Sequence, residues 1–73
     1  MTYREIFHLK YSQGISTSEL VKRFPRDIKR ISEVALLEVS EEMLRQVISE
    51  AEIVERLIGL KKRYGIWAQN ENF

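Results

Sequence analysis

Apolar side chains along this chain recur at spacings of three and four, without strand-like alternation of any length, so the pattern predicts an all-α fold. In the opening segment Tyr3, Ile6, Phe7 and Tyr11 share one helical stripe. Thr2 stands three residues before Glu5, and Ser16 three before Glu19. In each pair the hydroxyl can cap a free backbone N–H while the carboxylate reaches back, which marks two helix beginnings. The first helix is predicted from Tyr3 to about Ser12, stopped by Gly14, which can take a left-handed cap conformation without a Cβ penalty. The second runs from Thr17 to Arg23 and presents Leu20, Val21 and Phe24 on one side. Pro25 ends it, because proline lacks an N–H and pushes Phe24 towards an extended conformation. A third helix can begin at once, with Asp27 favouring its dipole and Ile28, Ile31, Val34, Ala35 and Val39 as its apolar positions.

Ser40, followed by Glu41 and Glu42, offers another start. Beyond it Leu44, Val47, Ala51, Val54 and Ile58 repeat at 3-4-3-4 spacing towards Gly65. With no glycine or proline before Gly59, one helix from Glu41 to Tyr64 is the favoured reading. It would measure roughly 36 Å at about 1.5 Å per residue. The competing reading splits it at Ser49, where Ser49 and Glu52 repeat the capping spacing. The stripe itself can pack on the first three helices or form a two-fold seam between subunits, with Trp67 as a further contact. The expected organisation is a single domain, residues 1–73: a three-helix part (1–39), a long C-terminal helix (40–65) and a frayed polar tail (68–73).

Seventy-three residues allow one small core, so oligomerisation is expected to help it. No cysteine is present, which removes disulfides, thiol nucleophiles and cysteine-based zinc sites, and suits a reducing, cytoplasmic location. No apolar run reaches the roughly 18 residues of a membrane span, and the first residues lack a signal-peptide pattern, so no membrane partner is expected. The net charge of +1 hides a division. Residues 1–30 hold seven basic side chains against three acidic ones, whereas residues 31–60 hold two against seven. A basic front beside an acidic middle suggests that one surface meets a polyanion; the alternative is an unevenly charged solvated face.

Little here points to catalysis. His8 is the only histidine, with Glu5 one turn before it, and a partly exposed helical histidine explains it better than a triad does. Glu38, Glu41, Glu42 and Glu52 read as the wet side of amphipathic helices, and the isolated glycines form no phosphate-cradling loop. The chain is expected to be no enzyme, to bind no metal and to need no cofactor.

Two short helices joined by a tight turn, the second starting in positive charge, describe a helix-turn-helix, whose second helix enters a major groove about 12 Å wide. Lys22, Arg23, Arg26, Lys29 and Arg30 are five basic residues within nine positions. The run YREIFHLKYSQGISTSELVKRF also resembles the helix-turn-helix of region 4 of bacterial sigma factors and related transposase and response-regulator domains. The resemblance rests on Leu9, Tyr11, Gly14, Ser16, Glu19, Leu20 and Phe24, and covers about the first third of the chain. It departs from the family at Val21, where a small residue is usual, and at Pro25, which stands where glycine usually supplies a positive φ in the turn.

The resemblance implies a bracing helix over residues 17–23, a reading helix beginning near Arg26, and Ile31 as its core anchor. Arg26, Lys29, Arg30 and Glu33, with Ser32, would then face the groove. Arg26 and Arg30 are the candidates for guanine recognition, and Lys22, Arg23 and Lys29 for phosphate contacts. The expected function is a small DNA-binding transcriptional regulator or accessory factor, acting as a homodimer on double-stranded DNA through the Leu44, Val47, Ala51, Val54, Ile58 and Trp67 surface. The alternative is a helical protein-interaction module, such as an adaptor, antitoxin-like partner or inhibitor, motivated by the acidic middle and by Trp67.

Overall fold

In the computed structural model, which describes residues 1–46 and 48–63, the chain is an all-helical bundle without a strand among the described residues. Its helices are α1 (Tyr3–Phe7), α2 (Thr17–Arg23), α3 (Ile28–Ala35), α4 (Glu41–Arg45) and α5 (Glu50–Arg63). α1 packs on both α3 and α5, and α2 packs on α3. The core lies between them: Ile6 and Phe7 from α1, Leu20 from α2, Ile31 and Val34 from α3, Ile53 and Leu57 from α5, closed by Leu37 and Ile48.

A five-residue helix is far too short to persist alone, so α1 depends on how its ends are bonded. Its start is the predicted capping box: the Thr2 hydroxyl accepts from the Glu5 N–H at 3.1 Å, and the Glu5 carboxylate accepts from the Thr2 N–H at 2.9 Å. A second carboxylate arrives from far along the chain. Glu50 accepts from the Tyr3 and Arg4 N–H groups at 3.1 and 2.6 Å, joining the start of α5 to the start of α1. The predicted first helix reaches Ser12 but changes character on the way, because His8–Ser12 forms a wider π-helical turn. Gly14 stops it at φ 72, and the Ile15 N–H closes the end on the Leu9 carbonyl at 3.1 Å. The turn delivers the half-buried Tyr11 to the end of α3. There its hydroxyl is within hydrogen-bonding reach of the carbonyls of Val34 at 3.1 Å and Leu37 at 3.4 Å, which ties the first helical segment to the end of α3 and the residues just after it.

α2 has the predicted bounds, and the Ser16 hydroxyl accepts from the Glu19 N–H at 3.2 Å. The Glu19 carboxylate does not complete a box; it pairs with Arg23 at 3.1 Å. α3 differs from expectation at both ends. Pro25–Asp27 is a 3-10 turn that precedes it, and the α-helix finishes at Ala35, leaving Val39 half-buried beyond it. Ile28, expected in the core, is 53% exposed.

The single long helix is overturned. α4 starts at Glu41 as predicted, capped by Ser40, whose hydroxyl accepts from the Met43 N–H at 3.3 Å, but Gln46 turns extended and a new helix starts at Glu50. Ser49 caps that start, accepting from the Glu52 N–H at 3.2 Å. Side-chain direction gives the physical reason. On one unbroken helix Ile48 and Ile53 would point roughly 140° apart at 3.6 residues per turn, and the break lets both enter the core. The 3-4-3-4 stripe is consequently not the packed face. Leu44, Ala51 and Ile58 are exposed and Val54 is half-buried, while Ile53, Leu57 and Leu60 meet the bundle. Val47, Trp67 and the tail 68–73 lie outside the described residues.

Candidate nucleic-acid interface

The segment from Ser16 to Leu36 places two helices around a turn with no positive φ. Phe24 adopts φ −131 and ψ 66, its N–H closing α2 on the Leu20 carbonyl at 2.8 Å. The Asp27 N–H then bonds the Phe24 carbonyl at 3.0 Å, so Pro25 begins a 3-10 turn at the position where the helix-turn-helix motif this segment resembles has glycine. The proline that departs from the motif is thus accommodated by a different turn, and α2 still packs on α3. Buried Leu20 from α2 and buried Ile31 and Val34 from α3 share the core, with Val21 and Phe24 half-buried against it.

Asp27 anchors this turn. Its carboxylate, 15% exposed, takes the Met1 ammonium at 3.1 Å and the Arg30 guanidinium at 3.7 Å. Arg30 also lies over the Tyr3 ring, 5.6 Å from its centroid, so its side chain is drawn towards α1. Arg23 is held by Glu19. Lys22, Arg26 and Lys29 are exposed and have no ion pair among the described residues. The acids Glu38, Glu41 and Glu42 form no ion pair with the cluster among the described residues; Glu41 pairs with Arg45 at 3.5 Å within α4. Ser32 is exposed on α3 between Ile28 and Leu36, which are 53% and 55% exposed.

Glu33 is a correction to the predicted groove face. It is 3% exposed, accepts from the Tyr3 hydroxyl at 2.9 Å, and pairs with the Lys61 ammonium at 3.2 Å. A buried carboxylate needs such partners, and these two come from α1 and α5. Glu33 therefore ties three helices together and cannot reach a groove. Burial first, then the bond to Glu33, raises the Tyr3 hydroxyl pKa above its ordinary 10.0.

Away from this face, a groove of about 600 Å³ runs along the first helical segment and α4, lined by Arg4, His8, Leu9, Leu44, Arg45 and Ile48 among others, and it contains no residue of α2 or α3. His8 is exposed there, and the Glu5 carboxylate one turn earlier is engaged by Thr2. No group of three histidine, cysteine, aspartate or glutamate side chains is placed to hold a metal among the described residues, and none of their helices is long and apolar enough to cross a membrane.

Two contributors to the site were not legible beforehand. Tyr11 as the tie to the end of α3 gave no signal, because its partners are more than twenty residues away. The exposed apolar pair Ile28 and Leu36 was hidden by helical spacing that suits a core equally well. Compared with family models, curated proteins and solved structures, the chain finds no match in any of the three.

Proposed function

We propose that this chain is a small, non-enzymatic DNA-binding protein of the cytoplasm, a transcriptional regulator or accessory factor, whose α3 enters the major groove while α2 braces it. The observation that carries this reading is the trio Lys22, Arg26 and Lys29, exposed cations without ion-pair partners among the described residues, at the end of α2, in the turn and at the head of α3. Cations so disposed suit phosphates, which fix register without specifying sequence. The helix-turn-helix resemblance adds a bracing helix of the expected bounds, packed on the helix that follows. Two copies on a symmetric site would join through the outward side of α5, where Ala51 and Ile58 are exposed and Val54 half-buried.

The test is fluorescence anisotropy of labelled random duplex DNA at two salt concentrations, with light scattering on the same sample. Binding in the micromolar range should weaken steeply with salt. Replacing Lys22, Arg26 and Lys29 together by alanine should flatten the log–log slope by about 2 to 3, at about 0.9 for each phosphate no longer neutralised. An unchanged slope in the triple variant would remove α3 from the interface. A protein-interaction module is the second reading, favoured by the groove beside α4, where Leu44 is 39% exposed. It would be preferred if no duplex bound at low salt and a Leu44→Asp variant lost a saturable protein partner.

A further inference from the structure

If α3 enters the groove, as the DNA-binding reading on which this rests requires, its outward side chains decide what it reads. Positions 28, 32 and 36 advance by four, and at 3.6 residues per turn each step rotates only about 40°, so Ile28, Ser32 and Leu36 form one strip along the helix. Leu36 keeps helical angles, φ −83 and ψ −11, and so continues the strip to the end of α3. All three side chains are exposed, Ile28 and Leu36 by more than half. From Ile28 to Leu36 the rise is about 12 Å, comparable with three to four base pairs.

This strip lies on the helix that carries Lys29, with Arg26 and Lys22 just before it, and its Ile28 and Leu36 are the most exposed large apolar side chains among the described residues. Arg30, the residue best suited among α3's side chains to guanine, is turned aside to Asp27 and Tyr3, and Glu33 is buried. Beside the Lys29 ammonium, what α3 and its last turn offer outward is therefore two branched hydrocarbons and one small hydroxyl. The matching feature of the major groove is the thymine C5-methyl, the apolar group on its floor. We propose that α3 recognises thymine methyl groups through Ile28 and Leu36, with Ser32 between them, while Lys22, Arg26 and Lys29 hold the flanking phosphates. The positive charge beside the strip selects duplex DNA as the occupant, because an apolar patch bordered by exposed cations complements a methyl-bearing groove walled by phosphates.

Three labelled duplexes of equal length test this with the full chain: alternating dA-dT, alternating dA-dU, which differs from the first by the missing methyl, and alternating dG-dC. Anisotropy titrations are run at two salt concentrations. The dA-dT duplex should bind tighter than dA-dU by about fourfold for each methyl buried. Their salt slopes should be equal, since their phosphates are the same. Replacing both Ile28→Ser and Leu36→Ser touches only exposed positions, so the helical circular dichroism should persist; the dA-dT preference should vanish while salt-dependent binding remains. Equal affinity of the unaltered chain for dA-dT and dA-dU would overturn methyl reading and leave phosphate binding standing. A preference that survived in the double variant would assign it to duplex shape instead. Dissociation of a dimer by the same two substitutions, seen by light scattering, would assign the strip to a second copy of the chain. Failure of all three duplexes to bind at low salt would overturn the DNA reading and this one with it.

Discussion

Glu33 illustrates how one side chain can be charged, helical and adjacent to a basic cluster yet belong to the interior. Its carboxylate is satisfied by Tyr3 and Lys61, so truncating it removes two bonds that link α1, α3 and α5. Glu33→Ala should lower the unfolding free energy in urea by about 1–3 kcal/mol, and Glu33→Gln by less, because the amide can still accept from Tyr3. Neither change should alter the salt slope of duplex binding, in contrast to Lys29→Ala. Titration gives a second prediction at this scale. Tyr3 and Tyr11 are both raised above 10.0, each chiefly by burial, so the fold prefers their neutral forms. Their contribution is complete below pH 10.0 and fades as pH rises through the raised folded values. Glu5 behaves oppositely. The Thr2 backbone N–H, then the Thr2 hydroxyl, lower its pKa from 4.5, so its stabilisation holds above that value and is lost as pH falls through the lower folded one. Thermal melts across pH should show both limbs, with Tyr11→Phe reducing the alkaline loss and Glu5→Gln the acidic one.

At the level of elements, the ends decide more than the middles. Among the described residues, four helix starts carry a hydroxyl cap, from Thr2, Ser16, Ser40 and Ser49. Ser49→Ala should cost about 1 kcal/mol and, if the cap selects the break between α4 and α5, should also weaken protection of the Tyr3 and Arg4 amides in hydrogen exchange, since Glu50 is placed by that break. Unchanged protection would show that burial of Ile48 and Ile53 sets the break without help. Gly14 offers a cleaner case. A Cβ there meets nothing within 4 Å, so Gly14→Ala should incur only the left-handed backbone penalty of roughly 1–2 kcal/mol, measured by denaturant midpoint. The caps and Gly14 were visible in the sequence because both partners lie within a few residues. Where the last helix begins was not decided there, since Glu41 to Tyr64 lacks a breaker until Gly59 and two overlapping apolar stripes run along it.

Across the whole molecule the core is small, nine buried apolar side chains among the described residues, drawn from nearly every element. A domain of this length holds about 4–11 kcal/mol of stability at roughly 0.05–0.15 kcal/mol per residue. Ile31→Ala, a change at a fully buried centre of α3, should remove about 2–5 kcal/mol and lower the melting midpoint by roughly ten degrees or more. Destabilisation on that scale would leave little folded protein at physiological temperature, so DNA-binding variants belong at exposed positions. The division of charge also acts globally. Glu38, Glu41 and Glu42 make no ion pair with the basic segment among the described residues, so on the DNA-binding proposal the positive end keeps its field, and duplex association should show its salt dependence in the association rate.

Residue order alone was enough for the all-helical class, three of the four hydroxyl-capped starts, the bounds of α2, the glycine stop at residue 14 and the position of the basic cluster. All of these depend on neighbours within about one helical turn, where spacing and residue type are sufficient. Packing between helices settled that Glu33 is interior, that Arg30 bends to Asp27 and Tyr3, that Ile28 and Leu36 face water, and that α5 begins at Glu50 with Ile53 and Leu57 inward. Each of those outcomes depends on which helix lies across the way. A three-and-four spacing states that a helix has an apolar side, but when two sides qualify, the packing of α1 on both α3 and α5 selects one and leaves the other to solvent or to a partner.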